Sequence, residues 1–130
     1  MKILVVDDEE IVLGSCQRVL SAEGFDVILS NSADSALDIL KTENPELLLV
    51  DVKMPGRDGL SLVAELKEKS PGIAIIVMSG YPTPATISQV VKNGAACFIP
   101  KPFTPDELIG IIRQVIPEKT KDVKNENSDH

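Results

Sequence analysis

Apolar residues along the chain fall into two alternating kinds of run. Short runs rich in branched aliphatics recur at Ile3–Val6, Phe25–Leu29, Leu47–Val50, Ile73–Val77 and Ala96–Ile99. Runs this short and this rich in apolar residues suit strands covered on both faces, as in a parallel sheet. Between them the spacing turns helical. In Glu9–Glu23, Val12, Cys16 and Val19/Leu20 share a face and Gly24 supplies a stop. Ala33–Thr42 carries Ala36, Leu37 and Leu40 and ends at Asn44-Pro45; Asp58–Lys69 carries Leu62, Val63 and Leu66 before Ser70-Pro71-Gly72. Pro84–Lys92 holds Ile87, Val90 and Val91 and stops at Asn93-Gly94. In the last segment, Pro105–Ile116, Thr104 serves as N-cap, Pro105 takes the first position, and Leu108, Ile111, Ile112 and Val115 turn inward.

Five β/α units in strict alternation predict an α/β domain, a five-stranded parallel sheet doubly wound with five helices. Right-handed crossovers leave few topologies, and for five units the flavodoxin-like order 2-1-3-4-5 is the expected one. The pattern predicts one folded unit over residues 1–116. Residues 117–130 lack periodicity, are rich in Lys, Glu, Asn and Asp, and read as a disordered tail or linker stub.

Composition narrows the function classes. Hydrophobic residues make up 43% of the 130 and aromatics only 3%, so the core is aliphatic. Thirteen Lys plus Arg against twenty Asp plus Glu gives −7, which argues against direct nucleic-acid binding. The longest apolar run, Ile73 to Met78, is six residues, whereas a membrane span needs about twenty. Met1-Lys2 leads straight into an apolar strand with no signal-peptide pattern. Cys16 and Cys97 have no metal-type or redox-type spacing and read as buried free thiols. Together these features imply a cytoplasmic protein with no membrane contact.

In open α/β sheets ligands bind beyond the carboxyl ends of the strands. Strand 1 is followed by Asp7-Asp8-Glu9-Glu10, strand 3 by Asp51, strand 4 by Ser79-Gly80 and strand 5 by Lys101 between two prolines. The strand order sets these ends side by side, so one pocket holds three carboxylates, a hydroxyl and an ammonium. Clustered carboxylates raise one another's pKa values or demand a cation. Oxygen ligands of this number suit Mg²⁺, which takes a few carboxylates plus phosphate. Neither G-x-G-x-x-G nor G-x-x-x-x-G-K-[ST] occurs. Metal-assisted phosphoryl chemistry therefore fits better than direct phosphate cradling by backbone.

Four segments, Val5-Val6-Asp7-Asp8-Glu9, Asp51-Val52-Lys53-Met54-Pro55-Gly56, Met78-Ser79-Gly80 and Lys101-Pro102-Phe103, have the order and strand-end placement of a known family. In them the chain resembles the bacterial two-component response-regulator receiver domain, of the chemotaxis-Y-like type, over about residues 2–116. The resemblance implies that Asp51 is the phosphoacceptor, attacking the phosphorus of a phosphohistidine on a sensor histidine kinase or phosphotransfer protein. It implies that Asp8 and Asp51 ligate Mg²⁺ directly, with the carbonyl of Lys53 as a third protein ligand and Asp7 acting through water. Lys101 then pairs with Asp51 at rest and with the phosphoryl oxygens afterwards. Ser79 donates its hydroxyl to the phosphoryl group, Phe98 swings inward as Ser79 moves, and the Lys101–Pro102 peptide is cis. The helix 4, strand 5 and helix 5 face reports the change to a downstream protein or a fused output domain. Ser79 stands where the family often has Thr, and Phe98 where the alternative is Tyr. Lys53 and Tyr81 occupy positions at which the family modulates loss of the phosphoryl group.

Plainer readings exist for each residue. Asp7-Asp8 can cap the first helix, with Glu10 completing a capping box, and this role can coexist with metal binding. Glu9 and Glu10 read as a solvated first turn. Phe98 alternates with apolar neighbours, as a core residue does. No one of these readings accounts for all four strand ends at once. An aspartyl-nucleophile phosphatase on a similar sheet needs Asp-x-Asp; here position 53 is Lys, which favours a phosphoacceptor that assists its own phosphorylation and dephosphorylation over an enzyme. With no basic helix-turn-helix after residue 116, the expectation is a stand-alone element or one domain of a longer regulator, of the stand-alone or central-ATPase-linked type.

Overall fold

The computed structural model describes residues 1–53, 59–80 and 83–116. Met54-Pro55-Gly56, the expected helix start at Asp58, Tyr81 and the tail 117–130 lie outside the described residues. Strands β1 (Lys2–Val6), β2 (Asp26–Ser30), β3 (Leu47–Asp51), β4 (Ala74–Ser79) and β5 (Cys97–Pro100) alternate with helices α1 (Glu10–Ala22), α2 (Ala33–Thr42), α3 (Gly59–Lys69), α4 (Pro84–Lys92) and α5 (Pro105–Val115). All strand pairs are parallel and the order is β2-β1-β3-β4-β5, as the alternation predicts.

The two-residue side-chain period of the strands divides the core between the faces of the sheet. Leu4, Val6, Leu48, Val50, Ile75 and Val77 point to one side, where Ala36 of α2, Leu62 and Leu66 of α3 and Val90 of α4 meet them. Ile3, Val5, Leu47, Leu49, Ile76 and Met78 point to the other, against Leu13, Cys16 and Leu20 of α1 and Leu108 and Ile112 of α5. Each helix therefore buries one stripe against its own side, the doubly wound arrangement.

Helix ends follow local chemistry. The Thr104 hydroxyl accepts from Glu107 N at 3.1 Å while Glu107 Oε1 accepts from Thr104 N at 2.8 Å, a full capping box ahead of Pro105. Ser32 and Thr83 cap α2 and α4 in the simpler one-bond form. At the start of α1 the expectation fails: the N-cap is Glu9, with no side-chain cap bond, because Asp7 turns its carboxylate into the pocket. Gly94, at φ +108 after α4, takes a conformation that disfavours side chains, and a Cβ there would lie 2.5 Å from Lys67 Cγ. The Lys67 stem fills that space while its Nζ donates to the carbonyls of Pro71 and Ile73, both at 3.1 Å.

Two helices bury less than their spacing suggests. On α4 only Val90 is buried; Ile87 and Val91 are 38% and 57% exposed, because a nine-residue helix lays a single narrow stripe on the sheet. On α1 the fully covered positions are Leu13, Cys16 and Leu20, with Val12 and Val19 at the edge of that stripe. Both thiols are free; Cys16 is buried as expected, whereas Cys97 on the edge strand is only half-buried.

Candidate functional site

Backbone pairing carries four of the strand-end residues into place. Asp7 N donates to Ser30 O at 3.1 Å, prolonging the β1–β2 ladder by one residue. Asp51 and Ser79 are the final residues of β3 and β4 themselves, paired with Met78 and Pro100. Lys101 N donates to Ser79 O at 2.8 Å, which ties the exit of β5 to the end of β4. The Lys101–Pro102 peptide is cis.

These ends converge on the Lys101 ammonium. Its Nζ lies 2.8 Å from Asp7 Oδ2, 2.9 Å from Asp51 Oδ2 and 3.0 Å from Glu9 Oε1. The remaining oxygens of the two aspartates are held by backbone: Asp7 Oδ1 accepts from Glu9 N and Asp51 Oδ1 from Lys53 N, both at 2.9 Å. Asp7 is wholly buried and Asp51 nearly so, while Asp8 and Lys53 stand exposed at the rim. Lys101 is also largely shielded, its side chain 14% exposed.

Burial and charge act against each other here. Burial pushes the Asp7 carboxyl above its ordinary value, and the Lys101 ammonium and the Glu9 amide only partly offset it. For Lys101 burial acts downward, but the carboxylates of Asp7, Asp51 and Glu9 outweigh it and raise the ammonium above the usual lysine value. Asp7 Oδ2 is a buried oxygen that has an ionic neighbour in Lys101 but no aligned hydrogen-bond donor among the described residues. Asp7, Asp8 and Asp51 each offer a carboxylate oxygen, all within 4.8 Å of one another. An all-oxygen set with an under-satisfied member fits a small hard cation such as Mg²⁺.

The sheet brings together Asp7, Asp8, Asp51 and Lys101, as their strand-end positions predict. Ser79 is buried at the tip of β4. Phe98, half-buried, is in register with Val77, so it lies on the same face of the sheet as Ser79, two residues further along β4. Glu9 is exposed, as a solvated turn would be, but it is also a third carboxylate on Lys101. That contact spans 92 residues of sequence and has no local signal. A cleft of roughly 750 Å³ opens over the pocket, with Asp8, Glu9, Asp51 and Lys101 on its polar side and Ile11 and Phe103 on its apolar side.

A family model described as the response regulator receiver domain matches residues 3–113. The DNA-binding transcriptional regulator NtrC of Klebsiella pneumoniae is 31% identical over 112 residues, covering 86% of this chain and 24% of that protein. A response regulator receiver domain protein (CheY-like) from Methanospirillum hungatei superposes with a TM-score of 0.87 at 30% identity, covering 93% of this chain and 97% of that one. A response regulator from Burkholderia pseudomallei, solved with a phosphorylated aspartic acid, calcium ion and citrate, superposes with a TM-score of 0.80 at 31% identity. It covers 98% of this chain and 72% of that one. The chain spans between about a quarter and a half of the length of the curated relatives it matches. With the 2-1-3-4-5 sheet and its acid-lined carboxyl end already in place, these matches show that the chain belongs to the response regulator receiver domain family, the phosphorylation-activated switches of two-component signalling.

Proposed function

We propose that Asp51 is the phosphoacceptor and that the pocket around it catalyses its own loading. The observation that carries this reading is the buried Asp51 carboxylate, held on one oxygen by Lys53 N and on the other by Lys101 Nζ, beside two further aspartates. Such a carboxylate is fixed in direction and faces a cleft open to a donor, and in phosphoryl transfer positioning and charge neutralisation do most of the work. An Asp51 oxygen forms the new O–P bond as the P–N bond of a donor phosphohistidine breaks. The electron pair leaves on the imidazole nitrogen, which takes up a proton. Lys101 then turns from the Asp51 carboxylate to the phosphoryl oxygens, and Ser79 donates its hydroxyl to another.

Asp8 and Asp51 are the proposed direct ligands of Mg²⁺, with the Lys53 carbonyl as a third and Asp7 through water. When bound, the ion supplies neutralisation of charge on the transferring oxygens. The Burkholderia relative, described with a phosphorylated aspartic acid and a calcium ion, supports this reading.

As Ser79 is drawn towards the phosphoryl group it vacates space on the face it shares with Phe98, and the ring turns inward. The α4–β5–α5 face carries the change to its reader, a downstream protein or a fused output domain. The donor is a sensor histidine kinase or a phosphotransfer protein. Residues 1–116 form the receiver and 117–130 the tail or linker. The domain acts in the cytoplasm; among the described residues no helix is long and apolar enough to cross a membrane. It turns over no separate substrate, being a phosphoacceptor that assists its own phosphorylation and dephosphorylation. Intact-mass spectrometry after incubation with acetyl phosphate tests the core of this. A Mg²⁺-dependent gain of one phosphoryl group in wild type, absent in Asp51→Asn, is expected; the same gain in Asp51→Asn overturns the assignment.

A further inference from the structure

Lys101 answers three carboxylates, and they differ in what it costs to let each one go. Asp7 is wholly buried, so losing the ammonium strands a charge in the interior. Asp51 is the group to be modified. Glu9 is 61% exposed and can turn into water without leaving a buried charge behind. Yet it does not sit on Lys101 by chance of a loose side chain. Its N–H donates to Asp7 Oδ1 at 2.9 Å and its carbonyl accepts from Leu13 N at 3.1 Å, so its backbone is pinned at the entrance of α1. From there the carboxylate leans over the cleft mouth and meets Nζ at 3.0 Å.

We propose that Glu9 is a positioning residue that holds Lys101 in its unphosphorylated arrangement and opposes transfer of the ammonium to the phosphoryl group. The inference rests on the assignment of Asp51 as phosphoacceptor. An ammonium has three donors; here Glu9 and Asp51 each accept one, with Asp7 as an ionic neighbour at 2.8 Å, so the phosphoryl oxygens compete with Glu9 for the ammonium. A phosphoryl group on Asp51 carries about two negative charges and three strong acceptor oxygens, a net gain of about one charge because the carboxylate's own is lost in the acyl bond, and it places them next to Glu9. The Glu9 charge therefore competes for Lys101 and also repels an anionic donor entering the cleft. Both effects lower the rate and the extent of phosphorylation.

The test compares Glu9→Gln, which keeps the size and removes the charge, with Glu9→Asp, which keeps the charge but shortens the reach. Phosphorylation of the 130-residue protein by acetyl phosphate with Mg²⁺ is followed by intact mass at low and high ionic strength. Exposed ion pairs are worth a factor of about two to five, so Glu9→Gln is expected to raise the rate and the phosphorylated fraction about threefold. It should also flatten the rise of rate with salt, because one repulsive charge at the mouth is gone. Glu9→Asp should keep the wild-type salt dependence, which a merely structural role for the side chain would not separate from Glu9→Gln. Matching thermal midpoints show that both variants keep the fold. A Glu9→Gln rate equal to or below that of wild type, with wild type loading Asp51 normally, overturns the positioning role and leaves the phosphoacceptor assignment standing. Failure of wild type itself to load Asp51 overturns that assignment, and this inference with it.

Discussion

Replacing Lys101 with methionine removes the ammonium at the centre of the pocket and keeps most of the side-chain volume. Asp7, wholly buried, and Asp51, 7% exposed at its side chain, then face each other without compensation. Removing one partner of a buried ion pair typically costs about 3–5 kcal/mol. Protonation sets a ceiling on that cost. From an ordinary carboxyl value of 3.8, holding Asp7 neutral at pH 7 costs about 4 kcal/mol at roughly 1.4 kcal/mol per pH unit. Because burial already raises the Asp7 value in the native protein, the true cost lies below that ceiling. Exposed Glu9 adds little. A loss of about 3 kcal/mol at pH 7 follows, seen as a fall in Tm of about 10 °C.

The pH dependence makes this prediction specific. The Lys101 pKa is raised in the folded state, so its contribution is fully present below 10.5 and is lost as pH rises through the folded value. The Asp7 pKa is raised too; its protonated form is favoured by folding, so stability from this group falls as pH rises from 3.8 through the folded value. Without the ammonium that value climbs further and the fall extends towards neutrality. Urea unfolding of wild type and Lys101→Met between pH 3 and pH 11 should therefore show curves that approach each other at the acid end, separate near pH 7 and only begin to converge again above pH 10.5. A gap below about 1 kcal/mol at pH 7, or one that does not vary with pH, would refute the reasoning.

Other consequences are equally direct. Mg²⁺ at ten times its Kd should stabilise wild type by about 1.4 kcal/mol, and calorimetry or thermal melts of Asp8→Ala should show at least a tenfold weaker effect; an unchanged shift would place the ion elsewhere. Gly94→Ala forces a side chain into φ +108 and against the Lys67 stem, and should cost about 1–3 kcal/mol by denaturant titration. Burial pushes the Cys16 thiol up to about 11, so mild alkylation at pH 8 should mark half-buried Cys97 first and reach Cys16 only on unfolding; equal rates would contradict the packing of α1.

Much of this was readable in the chain because it is written in local periodicity. The switch between strand-like and helix-like spacing marks ten elements in order, and the N-cap at Thr104 is legible because the cap and the amide it meets lie within four residues. Strand ends were less so. Asp51 and Ser79 look like residues beyond their strands because they are polar, yet the backbone ladder ignores side-chain polarity and continues through both. The outward turn of Ile87 and Val91 was hidden because spacing shows that a face is apolar but not how much of it a neighbour covers. Glu9 is the clearest case. Its role depends on a lysine brought close by the closing strand of the sheet, and nothing adjacent to it in sequence distinguishes it from Glu10.

The most direct measurement is the location of the phosphoryl group. Wild type is incubated with acetyl phosphate and Mg²⁺, reduced with borohydride, digested and sequenced by mass spectrometry. Reduction of an aspartyl phosphate yields homoserine at position 51 and nowhere else, and none when Mg²⁺ is withheld. Homoserine at Asp7 or Asp8, or labelling that persists in Asp51→Asn, would contradict a switch built on Asp51.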